Sequence, residues 1–391
     1  MSELFHKISD DIGPERVYLW YDPETHVRGV VVIDTTVFGT ADGGTRMLQD
    51  ITVDEMAELA RSMTYKFSSF DIPIGGAKCG IWANPKIGGS ERRSIFRAFG
   101  RAIRPLLSSR ILLSTGTDMG TYYEDLKIAF KASGRVSLGR EPQIDGDPVT
   151  DLATGYGVTV AAREACRFLN INFEESSVAI EGFGKVGGSV LKSMVKLGAK
   201  IVAISTIDGC LYNPKGLDID SLLKERDECG DECVLSFAGA RHLPKEALFQ
   251  LPVDILVPGA RPREITSMNV GKIKAKIISS GANIPITEEA EEALFRRGII
   301  SIPDFIANAG GVISGLILMF GGDQSSALQG VESAITSAVY NVLKASHEEE
   351  VNPKKLAVMR ARKKIFEARL KGKRLSYKQL CDVIKERIKR F

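Results

Sequence analysis

Two lysines twelve residues apart carry the clearest chemistry in this sequence: Lys66, in Met-Thr-Tyr-Lys, and Lys78, in Gly-Gly-Ala-Lys-Cys-Gly. Lys78 is flanked by Gly75, Gly76, Ala77 and Gly80, so no bulky neighbour keeps a ligand away from it. Burial beside a second cation lowers a lysine's pKa and lets it exchange protons near neutral pH. Taken singly, each lysine reads as a solvated surface charge. The motifs further along the chain are what lift the pair above that reading.

The elements that must position these lysines are legible around them. Thr52-x-x-Glu55 matches a capping box and opens a helix with Val53, Met56, Leu59, Ala60 and Met63 on one face, ending at Lys66. A loop containing Pro73, Gly75 and Gly76 is expected next, with Lys78 in it. Residues 28–34 predict a strand, 92–106 a helix and Ile111–Leu113 another strand that runs into the polar stretch 114–121. The polar segment Gly139–Pro148 reads as a linker. Beyond it short apolar runs (178–180, 201–204, 253–257, 277–278, 299–302) alternate with helical stretches, the pattern of a parallel sheet wound on both sides. Three amphipathic helical stretches fill 326–391.

At 391 residues the chain exceeds what one core supports, so two domains are expected. Its 52 basic and 49 acidic residues are interspersed and leave a net charge of +3, which argues against a nucleic-acid or anionic-membrane surface. The basic carboxyl end, including Lys371, Lys373, Arg374 and Lys385 to Arg390, reads as a solvated face or a subunit contact. No signal-peptide pattern and no membrane-length apolar run occur. The six scattered cysteines read as reduced thiols of a cytoplasmic protein. Cys229 and Cys233 have no histidine nearby, so no metal site is expected.

Gly182-Phe183-Gly184-Lys185-Val186-Gly187 matches Gly-x-Gly-x-x-Gly directly after a strand and at the start of a helix. Such glycines permit a tight turn and let backbone amides approach a pyrophosphate at the helix's positive end. An acid at the end of the second strand usually grips the adenosine ribose. Here that strand ends Ser205-Thr206-Ile207-Asp208, so Thr206 and Asp208 are the candidates and the choice between NAD and NADP stays open.

From about residue 28 to 320 the chain resembles the glutamate/leucine/phenylalanine/valine dehydrogenase superfamily. Gly43-Gly44-Thr45-Arg46-Met47, Met63–Lys66, Gly75–Lys78 and Thr117–Thr121 resemble the catalytic domain of that family, and Ala153–Gly157 the entry to its nucleotide domain. Gly281–Pro285 and Pro303–Gly311 complete the pattern in order. The resemblance implies an α/β fold of two domains. A catalytic and oligomerisation domain would comprise 1–148 plus 326–391, and a Rossmann-type dinucleotide-binding domain 149–325, with a cleft between them. It implies oxidative deamination of an amino acid to a 2-oxo acid and ammonia by a homo-oligomer, a hexamer or octamer. Lys66 would bind the substrate α-carboxylate, Lys78 would polarise the carbonyl and handle water, and Asp118 would exchange protons with the amino group. Thr154, Asn283 and Asn308 would contact the nicotinamide end.

The departures bear on specificity. Phe67 stands where asparagine is common, Cys79 where glycine or threonine is usual, and Ser280 where glutamate is common; Phe67 and Cys79 are read as able to reshape the pocket floor. Glutamate dehydrogenases place a lysine before the Gly-Gly-x-Arg motif and a serine after Gly-Gly-Val to hold the side-chain carboxylate. The matching positions are Asp42 and Gly315, with Gly43, Gly44 and Val312 beside them. An aspartate there repels a second carboxylate, which points to a non-acidic amino acid. Leucine dehydrogenases put apolar groups at both places, a pattern Asp42 also breaks. Glutamate dehydrogenase with its carboxylate recognition moved elsewhere is the alternative enzyme, and a silent nucleotide-binding regulatory relative the alternative of another class.

Overall fold

The computed structural model describes residues 6–135, 143–144, 147–372 and 375–391. It divides into two compact units, Met1–Glu141 with Met359–Lys389, and Pro142–Val358 with Arg390–Phe391.

The first unit opens with a helical turn at residues 6–8 (α1) and strands β1 (Arg16–Tyr21), β2 (Arg28–Ile33) and β3 (Ala41–Leu48). Helix α2 (Val53–Ser69) leads into β4 (Gly75–Trp82), followed by α3 (Gly89–Ser108), β5 (Gly116–Thr117) and α4 (Tyr123–Ala132). The sheet order is β1-β2-β4-β3-β5, with β3 parallel to both its neighbours. Alternation sorts the side chains. Ala41 and Met47 of β3 and Ala77, Cys79 and Ile81 of β4 enter one apolar core with Phe96, Phe99 and Leu126 of α3 and α4. Asp42, Gly44 and Arg46 of β3, with Gly76, Lys78 and Gly80 of β4, belong to the opposite face.

Lys78 is therefore on a central strand and not in a loop, and Gly43-Gly44 lies within β3 and forms no turn. The glycines that suggested loops serve close packing instead. A Cβ on Gly76 would lie 1.9 Å from Ala60 O and 2.4 Å from Thr64 N of α2, and one on Gly80 2.7 Å from Ile51 Cδ1. Thr64 Oγ1 also takes the Gly76 amide at 2.9 Å, tying helix to strand. Gly76→Ala has no room to relax against helix backbone, so it should destabilise this unit by about 3 kcal/mol or more. An unchanged melting temperature for that variant would contradict the packing.

Thr52 caps α2 by accepting the Glu55 amide at 3.1 Å, but the Glu55 carboxylate takes Arg46 rather than closing the box. Residues 111–113 form only a bridge, Leu112 with Ala41, because Ala41 is the first residue of β3 and the ladder resumes at β5. Much of the segment read as a linker lies outside the described residues, as do Lys373 and Arg374.

The second unit begins with the paired β6 (Gln143–Ile144) and β7 (Asp147–Pro148), then α5 (Val149–Phe168) and β8 (Ser177–Glu181). Next come α6 (Lys185–Lys196), β9 (Lys200–Ser205), β10 (Cys210–Tyr212), α7 (Ile219–Cys229), α8 (Cys233–Ser236) and β11 (Arg241–Leu243). They are followed by β12 (Ile255–Pro258), β13 (Ile277–Ser279), α9 (Glu288–Arg296), β14 (Ile300–Ile302), α10 (Asp304–Ala307) and α11 (Gly310–Met319). The sheet runs β11-β10-β9-β8-β12-β13-β14; β9 to β14 in that order are parallel, and β10 and β11 add an antiparallel edge.

Helix α12 (Gln324–Glu349) stays with this unit, whereas the sequence placed the return to the first domain at 326. The reason is its contact with α5 and α11. Its buried face carries Ala327, Val331, Ala334 and Ile335, and Glu332 accepts Tyr156 Oη at 2.7 Å and pairs with Arg163. The boundary instead falls inside α13 (Pro353–Lys371), and α14 (Tyr377–Ile388) belongs to the first unit. Among the described residues no helix is long and apolar enough to cross a membrane.

Candidate active site

Strand β3 sets the geometry in the first unit. Gly44 pairs with Lys78 on one side and with Gly116 on the other, and Asp118 follows directly after β5. The Lys78 ammonium consequently meets the Asp118 carboxylate across Gly44. A Cβ on Gly44 would lie 3.3 Å from both Lys78 Nζ and Asp118 Cβ, so only glycine leaves the space beside the pair open. Thr121 holds the turn, its hydroxyl taking the Asp118 amide at 3.0 Å and donating to Thr45 O at 2.8 Å.

Arg46, one pleat along β3, was not singled out in the sequence as a functional side chain, although the Gly-Gly-x-Arg spacing held the signal. Its Nε and Nη2 donate to Asp118 Oδ1 at 3.2 and 3.1 Å, and Nη1 donates to Glu55. The charges then separate the two groups' behaviour. Burial lowers the Lys78 pKa and the Arg46 charge adds to this, against the opposing pull of Asp118. For Asp118, burial works upward, but Lys78 and Arg46 outweigh it and hold the carboxyl well below the usual range. The result is a lysine poised to lose its proton beside a fixed carboxylate.

Lys66 is buried in the last turn of α2, where a cation also complements the helix dipole. Asp42 is half-buried and stands two residues before Gly44, on the same strand face. Burial pushes its carboxyl up to about 7, while the Gly43 amide and the charge of Arg135 pull the other way. Arg135 donates Nη1 to Leu113 O at 2.6 Å, so its guanidinium is partly engaged elsewhere. Gly43 is confined by Ala77 O, 1.7 Å from where its Cβ would be. Cys79 points into the core, on the face of β4 away from Lys78, so it cannot line a pocket there; Phe67 is buried.

In the second unit the remaining candidates gather at the carboxyl ends of the parallel strands, where a doubly wound sheet binds its ligand. After β8, Gly182 adopts φ +87° and α6 starts at Lys185. A Cβ on Gly187 would lie 1.9 Å from Gly182 O, whereas one on Gly184 meets nothing within 4 Å, leaving that backbone open to a phosphate. Phe183 is buried, Lys185 exposed and Val186 half-buried, near Gly281. Thr206 is buried at the end of β9 and Asp208 is exposed in the following hairpin turn.

After β13 and β14, Asn308 Nδ2 donates to Ala282 O at 2.9 Å and reaches Asn283 Oδ1 at 3.3 Å. Thr154 of α5 abuts Gly311, whose Cβ would lie 2.6 Å from Thr154 Oγ1. Asn308 Oδ1 is buried without a hydrogen-bond partner among the described residues, an acceptor that a bound carboxamide would satisfy. These residues fit a nicotinamide dinucleotide. The loop's support was not foreseen. Asp304 takes the Ile284 amide at 2.8 Å and pairs at 3.0 Å with Lys354, which also reaches Glu291 at 3.4 Å. Val312 and Gly315 lie half-buried on α11, and a Cβ at Gly315 would meet nothing within 4 Å.

Two family models match in chain order. The one described as Glu/Leu/Phe/Val dehydrogenase, dimerisation domain, covers residues 14–134, and the one described as Glutamate/Leucine/Phenylalanine/Valine dehydrogenase covers 146–372. The chain is 37% identical to the glutamate dehydrogenase of Thermotoga maritima over 284 residues, 70% of this chain and 68% of that one. It is 34% identical over 297 residues to the NADP(+)-dependent glutamate dehydrogenase of Pyrobaculum calidifontis, 73% of this chain and 70% of the other. Among solved structures, the Leu-bound form of the hetero-hexameric glutamate dehydrogenase of Thermus thermophilus matches with a TM-score of 0.81 at 23% identity, over 93% of this chain and 91% of that chain. Motifs, fold and both family models agree: the chain belongs to the glutamate/leucine/phenylalanine/valine dehydrogenase family and is an amino acid dehydrogenase using NAD or NADP.

Proposed function

We propose that the chain oxidatively and reversibly deaminates a non-acidic L-amino acid, with Lys78 and Asp118 handling the protons. The observation that carries this reading is their contact across Gly44, on a strand that presents Asp42 on the same face. When bound, NAD or NADP accepts the hydride from the substrate Cα. The glycine turn 182–187 holds the pyrophosphate, and Thr154, Asn283 and Asn308 hold the carboxamide end. Lys66 binds the α-carboxylate as a fixed cation.

Asp118 takes a proton from the amino group as Cα is oxidised to the imine. Neutral Lys78 then removes a proton from water as its oxygen bonds to the imine carbon, giving a carbinolamine. Lys78 passes that proton to solvent; Asp118 then returns a proton to nitrogen, the C–N bond breaks as Lys78 takes the hydroxyl proton and the carbonyl forms, and ammonia leaves. Lys78, now protonated, stabilises the oxygen and takes up its place as acid for the reverse direction.

Asp42 governs the side chain. Half-buried, and with its charge only partly offset by the Gly43 amide and the charge of Arg135, it disfavours a second carboxylate and favours a long cationic side chain, or a large one with a donor such as an indole N–H. Glutamate is the second reading, because the curated relatives named above are glutamate dehydrogenases. The enzyme works as a cytoplasmic homo-oligomer, assembled through the region matched as a dimerisation domain. Reduced-cofactor and ammonia formation with twenty amino acids tests the reaction. Stoichiometric release of both from at least one amino acid is expected, and silence with all of them would overturn it.

A further inference from the structure

The end of β9 carries no acid: the position facing the glycine turn is Thr206, and its hydroxyl is already engaged. It donates to Asp231 O at 2.8 Å and accepts the Asp208 amide at 3.2 Å. Gly182, the first glycine of the turn, donates its amide to Ser205 O at 3.0 Å, so Thr206 and the turn are immediate neighbours. The same contacts bring in a carboxylate from elsewhere. Arg226, near the end of α7, donates Nε to Phe183 O at 3.1 Å, and its guanidinium lies 5.4 Å from the Phe183 ring centre. Its Nη1 holds Asp231 Oδ1 at 2.7 Å. Asp231 is thus tethered at both ends, by its carbonyl to the tip of β9 and by its carboxylate, through Arg226, to the glycine turn.

That gap, between the second strand and the turn, is where a dinucleotide's adenosine ribose lies in this architecture. The Asp231 side chain is 53% exposed, and Oδ2 bonds no described residue. The Arg226 charge at the gap is matched by Asp231. Residues 224–232 hold five acids (Glu225, Asp227, Glu228, Asp231, Glu232) against Lys224 and Arg226. A 2′-phosphate arriving there meets net negative charge, whereas a ribose hydroxyl meets an open acceptor.

We propose that Asp231, delivered from the turn after α7, is the acid that accepts the ribose hydroxyls and turns away a 2′-phosphate, so that the chain prefers NAD to NADP. Arg226 is its positioning residue. This rests on the dinucleotide reading of the second unit, and the test separates the two. Calorimetric affinities for 5′-AMP and 2′,5′-ADP should be measured on the full chain and on Asp231→Asn, Asp231→Ser, Asp208→Asn and Glu228→Gln, alongside the kcat/KM ratio for NAD and NADP. Wild type should bind 5′-AMP more tightly. Both Asp231 variants should shift the ratio towards the 2′-phosphate by about tenfold, the scale of a charged hydrogen bond, with melting temperature kept in at least one of them. Glu228→Gln, which removes the same charge from an exposed site, should shift it far less. A wild-type preference for 2′,5′-ADP would show Arg226 seizing the phosphate and overturn the proposal. So would a ratio governed by Asp208 with Asp231 inert. Failure of both nucleotides to bind would overturn the dinucleotide reading beneath it.

Discussion

Lys78→Ala is expected to lower turnover by about 10²- to 10⁴-fold, the range lost when a positioned acid–base group is removed. Alanine leaves β4 intact, since its backbone ladder with β2 and β3 does not depend on the side chain. It leaves Asp118 held by Arg46 but without a partner for water. Asp118→Asn should lower turnover on a similar scale, for a different reason: the amide cannot take the proton from nitrogen. The two variants also differ in pH dependence. Asp118 opposes the lowering of the Lys78 pKa, so Asp118→Asn lets it fall further. The lysine then stays neutral to lower pH, and the acid limb of the residual activity should move to lower pH. Nucleotide affinity should survive both changes, because the candidate dinucleotide residues belong to a separately packed unit. Near-normal turnover in both variants would contradict the assignment.

Asp42→Leu should reorder the substrates. Two carboxylates about 4 Å apart at an effective dielectric near 20 repel by about 4 kcal/mol, close to three orders of magnitude in affinity. Asp42 ionises at about 7, and that fixes how the penalty varies with pH. Below 7 it is protonated and tolerates an acidic ligand. Above 7, glutamate must either face the repulsion or force Asp42 to take up a proton, at a penalty that grows tenfold per unit until the repulsion limits it. Discrimination against glutamate should therefore sharpen from pH 7 to 9 in the wild type and lose this dependence in Asp42→Leu. A cationic substrate should behave in the opposite sense, its KM falling as pH rises through 7. Steady-state kinetics over that range checks both, and an unchanged ranking in the variant would remove Asp42 from the pocket. The same shift bears on stability. The folded carboxyl ionises later than the unfolded one, at about 3.9, so this group weakens the fold progressively between about pH 4 and 7 and by a constant amount above.

The proton pair and the nucleotide turn were legible because each is written in local spacing. Gly182 to Gly187 follow a strand and open a helix, and a lysine among small residues advertises close approach. The conformation of those small residues was not legible. Gly75, Gly76 and Gly80 read as a loop, yet they lie in a strand where the missing side chains of Gly76 and Gly80 admit α2, a tertiary reason that no local pattern carries. Arg46 was visible only as part of a motif; its partner Asp118 is seventy-two residues away. Lys354 and Asp231 were invisible for the same cause, since each matters through contacts with segments distant in sequence. The domain boundary was misjudged because an amphipathic helix such as α12 records that it has a buried face, not which unit buries it.

If Asp42 lines the substrate pocket as proposed, the enzyme selects against an acidic side chain. The kcat/KM of the wild-type enzyme for glutamate, set against lysine, arginine, tryptophan and leucine at pH 8.5 with saturating cofactor, tests it most directly. A basic or aromatic donor-bearing amino acid is expected as the best substrate, with glutamate lower by about 10²-fold or more. Glutamate as the best substrate under those conditions would contradict it.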